Sequence, residues 1–322
     1  MKGMTALIGA SGRRGVAPLD EAQKEAVLAY CRIAAGPGAL LTLKDLVELL
    51  SVDVTEGELE ESISSDEWLA SRVFVESGQV VLKSPDSDPG AARRAIENAD
   101  ENRRRALANI EAARVFARLF AKDAVFTAVA GTNSYLFAAE GDDIDFYCIT
   151  KTDGMWAFML KALLLSRISS MVRSDVPPFC FSYVMDERQS KDVASRPMTA
   201  VHARDTLSVK VISGYDTYHA ILENEPWMRS YFPSFYDRRL RESGSQKGQH
   251  PSVGKGSRLV NSFLFVTLGS YLSLKAWTLN RRLAKKGWSG AIFKTWVEPG
   301  RLEYASRRYV ELGKMYQGLH KR

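Results

Sequence analysis

Between Ala124 and Thr150 the chain reads AVFTAVAGTNSYLFAAEGDDIDFYCIT, and this stretch constrains the fold more than any other. An apolar run ends at Gly131-Thr132, a turn follows, and Asp143-Ile144-Asp145 opens a second apolar run. Both runs are short, rich in β-branched and aromatic residues and bounded by Gly or Asp, so both are expected to be strands. Side chains alternate along a strand, which puts Asp143 and Asp145 on one face with their carboxylates side by side. Such a pair repels itself unless a cation lies between. Hard divalent cations such as Mg²⁺ take oxygen ligands from one or two carboxylates together with substrate phosphates. Asp pairs after a glycine also close hairpins, so the pair alone leaves both readings open.

The whole pattern is more specific: apolar strand, Gly plus hydroxyl residue, a spacer, then Asp-apolar-Asp opening another apolar strand. It resembles the signature of the nucleotidyltransferase superfamily with the DNA polymerase β-type fold, with Thr132 where serine is usual. The resemblance implies that Asp143 and Asp145 hold Mg²⁺, two ions in all, with a third carboxylate from a neighbouring strand. It further implies that Gly131, Thr132, Asn133 and Ser134 line the phosphates of an NTP, and that an acceptor hydroxyl attacks the α-phosphate with release of pyrophosphate. Glycine there allows close backbone approach, and Thr132 offers a hydroxyl. The third carboxylate is where this sequence departs. The strand expected at Phe179–Met185 has Cys180, Ser182 and Val184 on one face and no acid inside, leaving Asp186 at its end as the candidate metal ligand.

A chain of 322 residues with 45% hydrophobic content has ample material for a core. Cys31, Cys148 and Cys180 are far apart with no metal-type spacing, a pattern of buried thiols in a reducing compartment, and no leader segment is evident; a cytoplasmic location is the expectation. The four histidines have no spaced partners that suggest a metal or a triad. The net charge of +6 is uneven: counted along the sequence, residues 1–90 carry −7 and residues 251–322 carry +11. The basic end suits a polyanion, a nucleotide or an anionic membrane surface without choosing among them.

Taken in order, residues 1–19 read as a mobile tail, since Gly9-Ala-Ser-Gly12-Arg-Arg-Gly15 lacks the strand and helix that a dinucleotide loop needs. Residues 20–84 read as a winged-helix-like domain: helices beginning near Asp20, Thr42 and Thr55, then a hairpin across Ser77-Gly78. Its third helix carries Glu56, Glu58, Glu60 and Glu61, which phosphate would repel, so nucleic acid is not expected to bind through this unit. Residues 85–122 read as a linker and a long helix with Leu107, Ile110, Ala113, Phe116 and Phe120 inward, and 123–190 as the core. An apolar helix is expected over Met155–Val172. Residues 191–322 read as helical: helices over Ala200–Ser213 and Thr217–Asn224, a flexible loop over 238–258, a buried amphipathic helix over Leu259–Leu274, and a final helix over Tyr304–Leu319. Gly254-Lys255-Gly256 does not have P-loop spacing.

The expected architecture is therefore α+β: a winged-helix-like N-terminal unit, a small mixed-sheet nucleotidyltransferase core and a helical C-terminal region. The expected activity is transfer of an NMP from an NTP to an unidentified hydroxyl acceptor. The alternative is a catalytically degenerate nucleotidyltransferase-fold adaptor. Peripheral membrane contact by 259–286 stays open because a basic flank follows an apolar run.

Overall fold

A computed structural model describes residues 19–35, 38–50, 54–83, 89–173, 175–194, 198–246, 257–285 and 293–320. The expected tail up to residue 18, most of the linker that starts at Ser84 and the Gly254-Lys255-Gly256 stretch lie outside the described residues.

The N-terminal unit begins with α1 (Glu21–Ala35). A two-residue strand, β1 (Leu41–Thr42), leads into α2 (Leu43–Leu49). Thr42 caps α2 reciprocally, its hydroxyl accepting from Asp45 N at 3.1 Å while the Asp45 carboxylate accepts from Thr42 N at 2.9 Å. Thr55 and Glu58 repeat the device at the start of α3 (Glu56–Ser65). After α4 (Glu67–Ala70), strands β2 (Val73–Glu76) and β3 (Gln79–Leu82) turn through Ser77-Gly78, both at positive φ. Positive φ at both central positions matches the twist of a tight hairpin. β1 adds to β3, giving a three-stranded antiparallel wing of order β1-β3-β2. The acidic residues Glu56, Glu60 and Glu61 of α3 are exposed.

The long helix α5 (Pro89–Ala117) buries Ile110, Ala113, Phe116 and Ala117. Leu107, expected inward, is 48% exposed. The helix delivers the chain to β4 (Ala124–Val129); the short helix α6 (Gly131–Ser134), β5 (Ile144–Thr150), α7 (Met155–Val172), β6 (Phe179–Asp186) and α8 (Glu187–Ala194) follow. Next come α9 (Ala200–Ser208), β7 (Lys210–Ser213), α10 (Tyr215–Asn224) and α11 (Pro233–Ser245). The last elements are α12 (Arg258–Leu264), which runs through a π turn into α13 (Ser270–Lys285), then β8 (Phe293–Glu298), β9 (Arg301–Ser306) and α14 (Arg307–His320).

The main sheet is mixed, of order β7-β4-β5-β6-β9-β8, with β5 and β6 parallel and the other neighbours antiparallel. Alternation along β5 gives it two faces. Phe146 and Cys148 join one core with Phe116, Trp156 and Leu272, so α5, α7 and α12–α13 cover that side. Tyr147 and Ile149 join the other core, which α9, α10, α11, α14 and the N-terminal unit cover. The N-terminal unit is docked there, Tyr30 of α1 lying 5.8 Å from Tyr316 of α14 between ring centroids.

The C-terminal region is largely helical but also supplies half of the main sheet. Lys210–Ser213, expected to extend a helix, pairs with β4 instead. Residues 301–306 form β9 before the final helix starts, and β9 pairs with β6 through Met185 and Arg301. Residues 238–245 of the expected flexible loop belong to α11. The helix expected to be buried over Leu259–Leu274 is buried along one stripe only: Asn261 and Leu272 are buried, whereas Leu259 is 85% and Phe263 68% exposed.

Candidate functional site

Asp143 and Asp145 stand at the start of β5, where β4 and α6 have just turned back. Ala130 N donates to Asp145 O at 2.9 Å, which closes β4 against β5 immediately before the turn. Gly131 then adopts φ +63°, and a Cβ there would come within 2.6 Å of Asp145 Oδ2. Only glycine takes this left-handed position without steric cost and leaves the carboxylate its place. The turn after it is fixed by its own polar groups. Thr132 Oγ1 donates to Asp142 Oδ2 at 2.9 Å, and Ala139 N donates to the same oxygen at 3.0 Å. Asn133 is fully buried; its amide donates to Asp143 O at 2.9 Å and its Oδ1 accepts from Asn109 of α5 at 2.8 Å. α5 thereby anchors the backbone that carries Asp143.

The parallel pairing sets Cys180 of β6 beside Asp145, and one extra residue in β6 follows before Tyr183 meets Tyr147. That bulge re-aims the strand. Before it, Cys180 and Ser182 face the carboxylates while Phe179 and Phe181 enter the opposite core; after it, Tyr183 takes the site face and Val184 the opposite core. Ser182 Oγ donates to Asp145 Oδ1 at 2.8 Å. One ligand atom each of Asp143, Asp145 and Cys180 lies within 4.8 Å of the others, a grouping that could hold a metal ion.

The electrostatics are those of charge without a counter-ion. Burial, then the neighbouring Asp143 charge, pushes the Asp145 carboxyl up from 3.8 to about 6, with bonds from Ser182 and Cys180 pulling back. Burial likewise raises Asp143. Burial and the two carboxylates push the Cys180 thiol far up, so it stays protonated and serves as a donor to the acids. A neutral thiol is a poor ligand for a hard cation, so the oxygen donors fit an ion of the Mg²⁺ kind and Cys180 adds little to it.

These groups form one wall of a cavity of about 420 Å³. Ala130, Gly131 and Thr132 line it near the acids; Ile33 and Ala34 of α1 and Tyr309 and Leu312 of α14 close it. Arg204 of α9 is a buried cation in the wall, set 4.4 Å from the Tyr135 ring and hydrogen-bonded to the Tyr316 hydroxyl. Asp205 beside it is pushed up to about 7 by burial, against the bond it shares with Tyr309. Tyr183 also lines the cavity, and its buried hydroxyl has no hydrogen-bond partner among the described residues.

The structure thus brings together Asp143, Asp145, Gly131 and Thr132. Asn133 and Ser134 are buried away from the cavity, Ser134 donating to Gly131 O at 2.8 Å, so they shape the turn and do not line the cavity. Asp186 does not join the cluster. It pairs with Thr150, five residues along β5 from Asp145, which is roughly 16 Å at strand rise. The bulge also reverses its parity, and its carboxylate accepts from Gln189 N at 2.9 Å, capping α8. Cys180, Ser182, Tyr183, Arg204 and Asp205 reach the site through register, bulge and packing, none of which has a local signature.

No protein-family model, no curated protein and no solved structure matches the chain.

Proposed function

We propose that this chain is a metal-dependent nucleotidyltransferase that moves an NMP from an NTP to a hydroxyl acceptor. The observation that carries it is the uncompensated pair Asp143 and Asp145: burial raises both carboxyls, the Asp143 charge raises Asp145 further, Asp142 adds to both, and no lysine or arginine is among the causes. A divalent cation relieves that repulsion, and when bound beside a triphosphate it supplies neutralising charge for the α-phosphate and the departing pyrophosphate.

The chain's own residues do the rest. Asp143 and Asp145 hold the ion, Asp145 being oriented by Ser182. Gly131 lets the phosphates approach backbone, and Thr132, its hydroxyl donating to Asp142, fixes the turn at the cavity wall. Arg204 supplies positive charge in the cavity wall. Cys180 and Ser182 stand where a third carboxylate would be needed to hold a second ion.

That substitution favours a second reading, in which the site binds NTP and metal without turnover and the chain acts as an adaptor. Incubating the full chain with α-labelled NTPs, Mg²⁺ or Mn²⁺ and a cell extract separates the two. The enzyme reading expects a labelled acceptor and released pyrophosphate, both reduced at least about 100-fold in Asp143→Asn and Asp145→Asn. Metal-dependent NTP binding with no label transferred supports the adaptor, and failure to bind any NTP overturns both.

A further inference from the structure

We infer that the outer face of α7 and α12–α13 is a docking surface for an anionic lipid bilayer, on which the protein lies without crossing it. This is independent of the nucleotide site, which is on the opposite side of the sheet.

The α12–α13 rod is apolar on two sides. One stripe faces the protein: Asn261, Gly269 and Leu272 are buried, Asn261 Oδ1 accepts from Trp156 N of α7 at 2.8 Å, and its amide donates to Pro299 O at 3.3 Å. A Cβ on Gly269 would stand 3.3 Å from both Trp156 and Val297, which shows how closely the rod sits on α7 and β8. The other stripe faces outward: Leu259, Phe263, Val266, Leu274 and Trp277 are each more than half exposed. α7, packed on the rod through Trp156, presents Leu164, Ile168 and Met171, exposed by 57%, 56% and 71%. Isolated exposed apolar residues need no explanation, but eight large ones on two helices packed together do.

Charge selects the occupant. The two helices contain seven Lys and Arg and no Asp or Glu. A second copy of this chain docking by the same face would bring those like charges together, since a two-fold contact is self-complementary. An anionic lipid surface meets both demands at once, its acyl region taking the Phe, Leu and Trp side chains and its headgroups taking Lys275, Arg281, Arg282 and Lys285. Both helices are long and apolar enough to cross a membrane. The buried stripe running from Asn261 to Leu272 holds the rod lengthwise against the domain, however, and that fixes an in-plane orientation.

Co-sedimentation of the full chain with vesicles of phosphatidylcholine alone and of phosphatidylcholine with phosphatidylglycerol tests this. Binding is expected to the anionic vesicles, to fall with added salt, and to be at least about tenfold weaker on neutral ones. Phe263→Asp with Leu274→Asp, and separately Lys275→Glu with Arg281→Glu, should each reduce binding at least about tenfold while leaving the melting curve unchanged, because these side chains touch solvent. Should a variant misfold, quenching of the wild-type chain by brominated lipid provides the same decision, its quenched component disappearing in Trp277→Phe. The inference is overturned by absence of binding to anionic vesicles, by equal binding to neutral ones, or by a soluble dimer that Phe263→Asp dissociates with no vesicle binding.

Discussion

Replacing Asp145 by asparagine should make the metal-free protein more stable while weakening the cluster's hold on a cation. In the folded chain burial and the Asp143 charge raise the Asp145 carboxyl from 3.8 to about 6, so the folded state binds this proton more tightly than the unfolded state does. Stability linked to this group is therefore fully present below about pH 4 and is lost as pH rises toward 6. At about 1.4 kcal/mol for each tenfold change in proton affinity, the ionised carboxylate costs the fold about 3 kcal/mol at neutral pH. The substituted carboxamide carries no charge and removes that cost, its oxygen still able to accept from Ser182 and its NH₂ able to donate to Asp143. For a chain of this size about 3 kcal/mol corresponds to a rise in Tm of roughly 5 °C. Calorimetric melts of wild type and D145N at pH 4 and pH 7.5, with chelator and with Mg²⁺, carry the test. D145N should melt higher at pH 7.5 with chelator and converge with wild type at pH 4, and Mg²⁺ should raise the wild type alone. A D145N protein that melts lower than wild type at pH 7.5 in chelator would refute the reasoning, since the acid would then be paired and stabilising.

Two glycines give sharper tests of geometry. Gly131→Ala places a methyl group 2.6 Å from Asp145 Oδ2 at φ +63°. The expected loss is about 2–4 kcal/mol, from left-handed strain plus the displaced Ser182 bond, with the Mg²⁺-induced Tm shift gone. Retention of that shift in the variant would separate Gly131 from the metal site. Gly214→Ala meets the Val125 carbonyl at 2.1 Å at φ +83°, and backbone cannot swing aside. Chemical denaturation should show a loss above about 3 kcal/mol, and hydrogen exchange should show β4 amides opening first; an unperturbed variant would contradict the β4–β7 pairing.

What the sequence revealed was local, and what it concealed was not. The strand pair around Gly131 and the Asp143–Asp145 face followed from alternation within a single strand, and the helix starts at Thr42 and Thr55 followed from caps spanning three residues. Asp186 went astray because parity counting assumes an unbroken pleat, whereas β6 gains a residue between Cys180 and Tyr183. The partners of Asp145 could not be read because a parallel register joins residues 35 apart with no turn to fix it. β7 is four residues long and directly follows a helix, too short for period 2 to stand out from period 3.6. The outer face of α12–α13 was misjudged for a different reason: apolar composition predicts that a helix wants cover and does not say whether the fold supplies it.

The cavity takes walls from Ile33 in α1 and from Leu312 in α14, and Tyr30 meets Tyr316 across most of the chain's length. Contacts between such distant positions carry a loop-closure cost that nearby pairings avoid, which delays them in folding. The acidic strand and its glycine turn can assemble from neighbouring sequence before α1 and α14 come together over them. During synthesis the compartment therefore exists only once the final helix has left the ribosome and swung back over residues made hundreds of steps earlier. An incompletely synthesised chain would display its carboxylates without the walls that α1 and α14 build around them.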